Sequence, residues 1–140
     1  MRATVRWVAI AVGSGVVGLA SAAVWAGWLG WDHEYQVDPV SRTSSGPYEP
    51  WQVMGAGLCL VTVLVVALVA GLPPVPASGA LTLGFTAAWT VDAAWEDASG
   101  LFLVGTIMLL AGLTIACTVV SAITLVTLRR VRSTPGGPAR

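Results

Sequence analysis

The stretch W-V-A-I-A-V-G-S-G-V-V-G-L-A-S-A-A-V-W-A-G-W-L-G-W, residues 7–31, holds no charged side chain over 25 consecutive positions. At about 1.5 Å of rise per residue, such a run crosses a hydrocarbon core of ~30 Å, for which ~20 helical residues suffice. The rest of the chain repeats the pattern. Residues 51–72 hold no charge over 22 positions, residues 101–128 none over 28, and residues 79–95 a single one, Asp92. Of the 140 residues 56% are hydrophobic and 10% charged, with a mean hydropathy of +0.79. That is too little charge to wet the surface of a soluble domain of this size. The expected fold is an all-α membrane protein. Residues 1–128 should form one domain of four transmembrane helices in an up-down bundle, with spans near 7–31, 51–72, 79–95 and 101–128. Residues 32–50 are expected as an ordered external loop, and residues 129–140 as a basic, Pro/Gly-rich, disordered tail.

Arg2 and Arg6 precede the first run, and Ala20-Ser21-Ala22 offers the small residues of a signal-peptide cleavage site. The run nevertheless continues for nine residues past Ala22 and ends among Trp25, Trp28 and Trp31, which favours an uncleaved helix. Ser14, Gly18, Ala22, Ala26 and Gly30 recur every four residues, and so do Ala80, Gly84 and Ala88. Small residues at this spacing let a second helix approach closely, although an Ala/Gly-rich chain also produces such runs by chance.

The interval Trp31–Trp51 is the one long polar stretch. It carries four of the seven acids, the single His, both Tyr residues and three of the eight Pro residues. Pro50 suits the first position of the next helix and Glu49 meets the positive end of its dipole. Pro73-Pro74 should end the second helix, leaving P-P-V-P-A-S as a short connection with Ser78 as N-cap of the third. Asp97 and Ser99 suit the N-terminus of the fourth.

Charge asymmetry sets the orientation. Six of the seven Arg residues (Arg2, Arg6, Arg129, Arg130, Arg132, Arg140) fall on one side of a four-span arrangement, and all seven acids on the other with Arg42. The positive-inside rule places both termini in the cytoplasm and residues 32–50 outside. Six of the seven Trp residues lie near the outer ends of spans, as an aromatic belt, as a cap over the bundle mouth or as an aromatic pocket for a ligand. The composition, free of Lys and Asn and rich in Ala, Gly and Val, points to a GC-rich bacterial genome and hence a bacterial inner membrane. Zero net charge gives no reason to expect a nucleic-acid partner.

Asp92 is the ionisable residue within an expected span, and such groups are costly in lipid unless paired or placed at interface depth. It reads as a bundle-facing functional acid, as an interfacial carboxylate between Trp89 and Trp95, or as a structural group that pairs with Arg42 or hydrogen-bonds to loop backbone. Arg42, the sole external base, is expected over the outer end of the third helix, pairing with Asp92, Glu96 or Asp97. Asp32-His33-Glu34 could donate ligands to a divalent cation together with Asp92, Glu96 or Asp97, although three adjacent residues cannot all face one ion in a regular element. Cys59 and Cys117 lie roughly 12 Å and 24 Å from the outer ends of their helices, too far apart in depth for a disulfide. G-x-S-x-G, H-E-x-x-H, C-x-x-C and phosphate-binding Gly-rich loops are all lacking, so neither enzymatic activity nor a cofactor is expected.

S-G-P-Y-E-P-W-Q-V at Ser45–Val53 and F-T-A-A-W-T-V-D-A-A at Phe85–Ala94 resemble stretches in small four-helix membrane proteins of actinobacteria. That family has no assigned activity, so the resemblance implies a bacterial cell membrane and a four-helix fold and no mechanism. The expected role is non-enzymatic association, with the lipid bilayer as surroundings and a second copy or a membrane protein as partner. The alternative is cation transport or sensing at an acidic external mouth around Asp92 and Glu96.

Overall fold

The computed structural model describes residues 2–31, 36–37, 44–45, 49–96 and 100–133. Four α-helices account for nearly all of them: α1 Arg2–Trp28, α2 Pro50–Val69, α3 Pro74–Glu96 and α4 Phe102–Ser133. Between α1 and α2, Gln36–Val37 (β1) and Ser44–Ser45 (β2) pair antiparallel in a two-residue ladder, Gln36 opposite Ser45. This pairing falls inside the stretch expected only as loop.

Three helices are long and apolar enough to cross a membrane: Ala3–Trp28, Pro50–Val69 and Phe102–Ser133, with mean hydropathies of 1.9, 2.4 and 2.3. The helix α3 is not among them. Its 23 residues would reach about 34 Å, so length is not the obstacle. Composition is: it carries Ser78, Thr82, Thr86, Thr90, two Gly, two Pro, Asp92 and Glu96.

The packing explains this composition. α3 touches all three other helices, whereas α1 and α4 do not meet among the described residues. Ala80 and Gly84 face α1, while Ser78, Thr82 and Thr90 face α4. Positions two apart on a helix differ by about 200°, so these two rows lie on opposite sides of α3. A helix flanked by protein on both sides keeps only a stripe for lipid, here Val75, Leu83, Val91 and Trp95. Its side chains are chosen for close approach and hydrogen bonding.

The α1–α3 seam is the tightest. A β-carbon at Gly84 would overlap the carbonyl oxygen of Gly18 and lie 2.5 Å from Ser21 Oγ. Ser21 itself is fully buried and donates to the Gly18 carbonyl at 2.8 Å. The small-residue ridges of the two helices therefore pack on each other within one chain at Gly18, while Ala26 further along the α1 ridge is exposed. The core that remains is apolar: Val17 and Trp25 from α1, Leu29 just past its end, Leu60, Leu64 and Leu68 from α2, Leu81 and Phe85 from α3. Buried residues of α2 recur mostly every four positions, from Gln52 through Ala56, Leu60 and Leu64 to Leu68, one narrow stripe. Around this core the large apolar side chains point outward, among them Leu19, Met54, Leu58, Ile107 and Met108. An apolar exterior of this kind belongs in lipid.

Several helix ends differ from expectation for identifiable reasons. α2 stops at Val69, ahead of Pro73, because Gly71 adopts a left-handed φ of 94°. Gly71 N–H then donates to Leu68 O at 3.1 Å and Leu72 N–H to Ala67 O at 3.0 Å, a Schellman closure. Leu72 folds inward over Gly13. α3 starts at Pro74, five residues before the expected Gly79, because prolines in a first turn remove only N–H groups that have no intrahelical partner. Ser78 thus lies inside the helix and is not its N-cap. α4 continues through Arg129, Arg130 and Arg132 to Ser133, so the first part of the basic tail is helical. Its 32 residues span about 48 Å, well beyond a hydrocarbon core. α1 ends at Trp28, where the N–H groups of Leu29 and Gly30 both reach Trp25 O, at 2.8 and 3.0 Å. At α2 the expected start holds: Pro50 opens the helix, and Glu49 N–H donates to the Gln52 side-chain oxygen at 2.7 Å.

Candidate functional site

Two regions concentrate polar chemistry. The first is the end of the bundle where α1 ends and α2 begins. Its aromatic side chains divide into two groups. Trp31, Trp51 and Trp95 are exposed, as rim residues at a headgroup level would be. Trp25, Trp28 and Trp89 turn inward. Trp28 stands edge-on to Trp51 with centroids 6.0 Å apart and covers Gly55, where a β-carbon would overlap its ring. Trp89 covers Gly105 of α4 in the same way. Gly55 and Gly105 thus make room for indoles that plug two interhelical gaps. Glu49 accepts the indole N–H of Trp51, tying the start of α2 to this layer.

Asp92 lies at this end of α3, half-buried, between Trp89 and Trp95 in sequence. Glu96 is the last residue of α3, placed by its backbone alone. Asp97, Arg42, Asp32, His33 and Glu34 lie outside the described residues, and with them the expected pairing of Arg42. Among the described residues, no three His, Cys, Asp or Glu side chains come together as a metal site. Cys59 and Cys117 are free thiols.

The second region is the α3–α4 interface, a row of hydroxyls at four-residue spacing. Ser78 Oγ and Ser121 Oγ lie 3.2 Å apart, Thr82 Oγ1 donates to Cys117 Sγ at 3.9 Å, and Thr90 Oγ1 and Thr106 Oγ1 lie 3.0 Å apart. Thr106 also reaches the Phe102 carbonyl at 3.0 Å; its single proton goes there, which makes Thr90 the donor to Thr106. Thr86, the remaining member of the row, is buried with no hydrogen-bond partner for its hydroxyl. Cross-helix hydroxyl bonds in bundles contribute about 0.6 kcal/mol each, so the row gives register more than stability. Beside it, a groove of about 460 Å³ opens to the exterior, lined in part by Ser78, Thr82, Thr114, Thr118 and Ser121. Thr114 and Thr118 are exposed, their hydroxyls bonded to the carbonyls of Leu110 at 2.6 Å and Thr114 at 2.7 Å.

This row was readable in the sequence: Ser78, Thr82, Thr86 and Thr90 stand every four residues. The neighbouring Ala80–Gly84–Ala88 ridge has the same period, and the Pro-rich start of α3 made Ser78 look like a cap. Comparison with known proteins adds nothing further: no family model, no curated protein and no solved structure matches this chain.

Proposed function

We propose that this is a non-enzymatic protein of the bacterial cell membrane that works by lateral association with a second copy or with a membrane protein partner. In this reading all four helices cross the bilayer, α3 included, with both termini cytoplasmic and residues 32–50 outside. The segregation of Arg and acidic residues supports the orientation. The burial of Ser21 in the α1–α3 seam supports retention of α1 as a helix of the mature bundle. The composition, free of Lys and Asn and rich in Ala, Gly and Val, supports the bacterial membrane.

The observation that carries association is the hydroxyl-lined α3–α4 groove on the outside of the bundle. The Gly/Ala ridges that first suggest association meet each other within the chain at Gly18 and Gly84, which takes up part of their surface; the α3–α4 groove offers a further small-residue surface, with the exposed hydroxyls of Thr114 and Thr118. Small and hydroxyl side chains facing lipid are the usual surface for helix docking. The test is Förster transfer between donor- and acceptor-labelled copies in liposomes, with Thr118→Leu against Thr127→Leu, an exposed hydroxyl outside the groove. Loss of transfer in Thr118→Leu alone supports self-association through the groove. Equal transfer in both variants removes the groove from the account; no transfer in the unmodified protein leaves only a partner of another kind.

The second reading is cation transport or sensing at an acidic mouth around Asp92 and Glu96, supported by the half-burial of Asp92 in a membrane-length helix. Asp92→Asn would abolish a cation-dependent signal under this reading and leave association unchanged under the first.

A further inference from the structure

α1 and α2 meet closely where Trp28 covers Gly55 and separate toward the other end, where a groove of about 650 Å³ lies between them. Its walls include Ile10 and Val17 of α1 and Val63 and Val66 of α2, and Leu72 lies at its foot over Gly13. Arg6 is the single charged residue in the lining, and it is exposed at the end of the groove where α1 begins. No acidic side chain lines the groove. The Thr62 hydroxyl donates to the Leu58 carbonyl at 2.8 Å, so this polar group is already satisfied by its own helix.

We propose that this groove holds one acyl chain of an anionic phospholipid, whose phosphate is bound by Arg6. The proposal rests only on insertion of the chain in a bilayer, not on which side the termini face. Three features support it. The lining runs along α1 from Arg6 to Ala20, fourteen positions or about 21 Å, enough for a chain that fills one leaflet of ~15 Å. The walls are apolar, which suits a hydrocarbon tail and offers no site for a polar solute. The lone cation stands immediately before the uncharged run of residues 7–31, at the level where lipid phosphates lie, and a guanidinium binds phosphate in a two-pronged geometry.

The experiment places the full chain in nanodiscs of equimolar phosphatidylglycerol and phosphatidylcholine and reads the lipids retained by native mass spectrometry. The expected preference for phosphatidylglycerol is about fivefold, the effect of one basic residue at a membrane surface. Arg6→Gln should bring it close to parity, whereas Arg129→Gln, a basic residue at the same end of the bundle, should leave most of it. Ala9→Phe, at an exposed position of the lining, should lower retention of both lipids by filling the groove. Equal losses from Arg6→Gln and Arg129→Gln would reduce the effect to general surface attraction and overturn the proposal. Undiminished retention in Ala9→Phe would overturn it as well. A dimer in the unmodified protein that Ala9→Phe converts to monomer would assign the groove to a second copy instead.

Discussion

Replacement of Gly84 by Ala tests the packing that organises the bundle. The new methyl would overlap the carbonyl oxygen of Gly18 and stand 2.5 Å from Ser21 Oγ, closer than real β-carbons approach such atoms. Neither neighbour can yield cheaply. The first is backbone of another helix, and the second is held by its own bond to that same carbonyl at 2.8 Å. α1 and α3 must therefore move apart, loosening the contacts of Val17, Leu81 and Phe85 behind the seam. Overpacking of this kind costs about 1–3 kcal/mol. A Gly→Ala change inside a helix also recovers up to ~1 kcal/mol of backbone entropy, so the raw loss underestimates the clash. Gly79→Ala on the same helix supplies the correction, because nothing lies within 4 Å of a β-carbon there. Unfolding of both variants in mixed micelles, followed by far-UV circular dichroism against increasing dodecyl sulfate, should show Gly84→Ala less stable than Gly79→Ala by about 1–3 kcal/mol. Equal stabilities would mean that α1 and α3 do not pack through Gly18 and Gly84.

Two further changes have definite signs. Thr86→Val removes a buried hydroxyl that has no partner and keeps the branched shape, so it should raise stability in the same assay by about 1 kcal/mol. A decrease would show that the hydroxyl has a bonding role. Gly71→Ala places a side chain at φ 94°, and should destabilise by about 1–2 kcal/mol, where the neighbouring Ala70→Gly in ordinary helical geometry should cost less. Equal effects at the two positions would refute the Schellman closure.

Much of the architecture was legible because lipid leaves so few options. Uncharged runs long enough to span marked α1, α2 and α4, and Glu49–Pro50 marked the start of α2 to the residue. The end of α2 was misplaced because Pro73 is the stronger signal in one dimension, while the closure belongs to Gly71 through two backbone bonds that form only once the chain turns. α3 was misread at its start for a related reason. Proline reads as a breaker, yet Pro74 and Pro76 occupy a first turn where their missing N–H groups cost nothing. The hydroxyl row was visible as a period of four, but its partners Ser121, Cys117 and Thr106 are fixed by the antiparallel register of α4, which no local pattern encodes. Of the acidic site, Asp92 is the one member placed with its side chain. Arg42 and the Asp32–Glu34 triplet fall outside the described residues.

The central claim is that α3 crosses the bilayer although it is less apolar than its neighbours, because α1 and α4 shield it on opposite faces. Single cysteines at Ser44, Val75 and Ala98, in a background lacking Cys59 and Cys117, test it through labelling by a membrane-impermeant maleimide on intact spheroplasts. Labelling is expected at positions 44 and 98 from outside and at position 75 only after lysis, since Val75 lies in the first turn of α3 and position 98 follows its end. Labelling of positions 75 and 98 from the same side would contradict it.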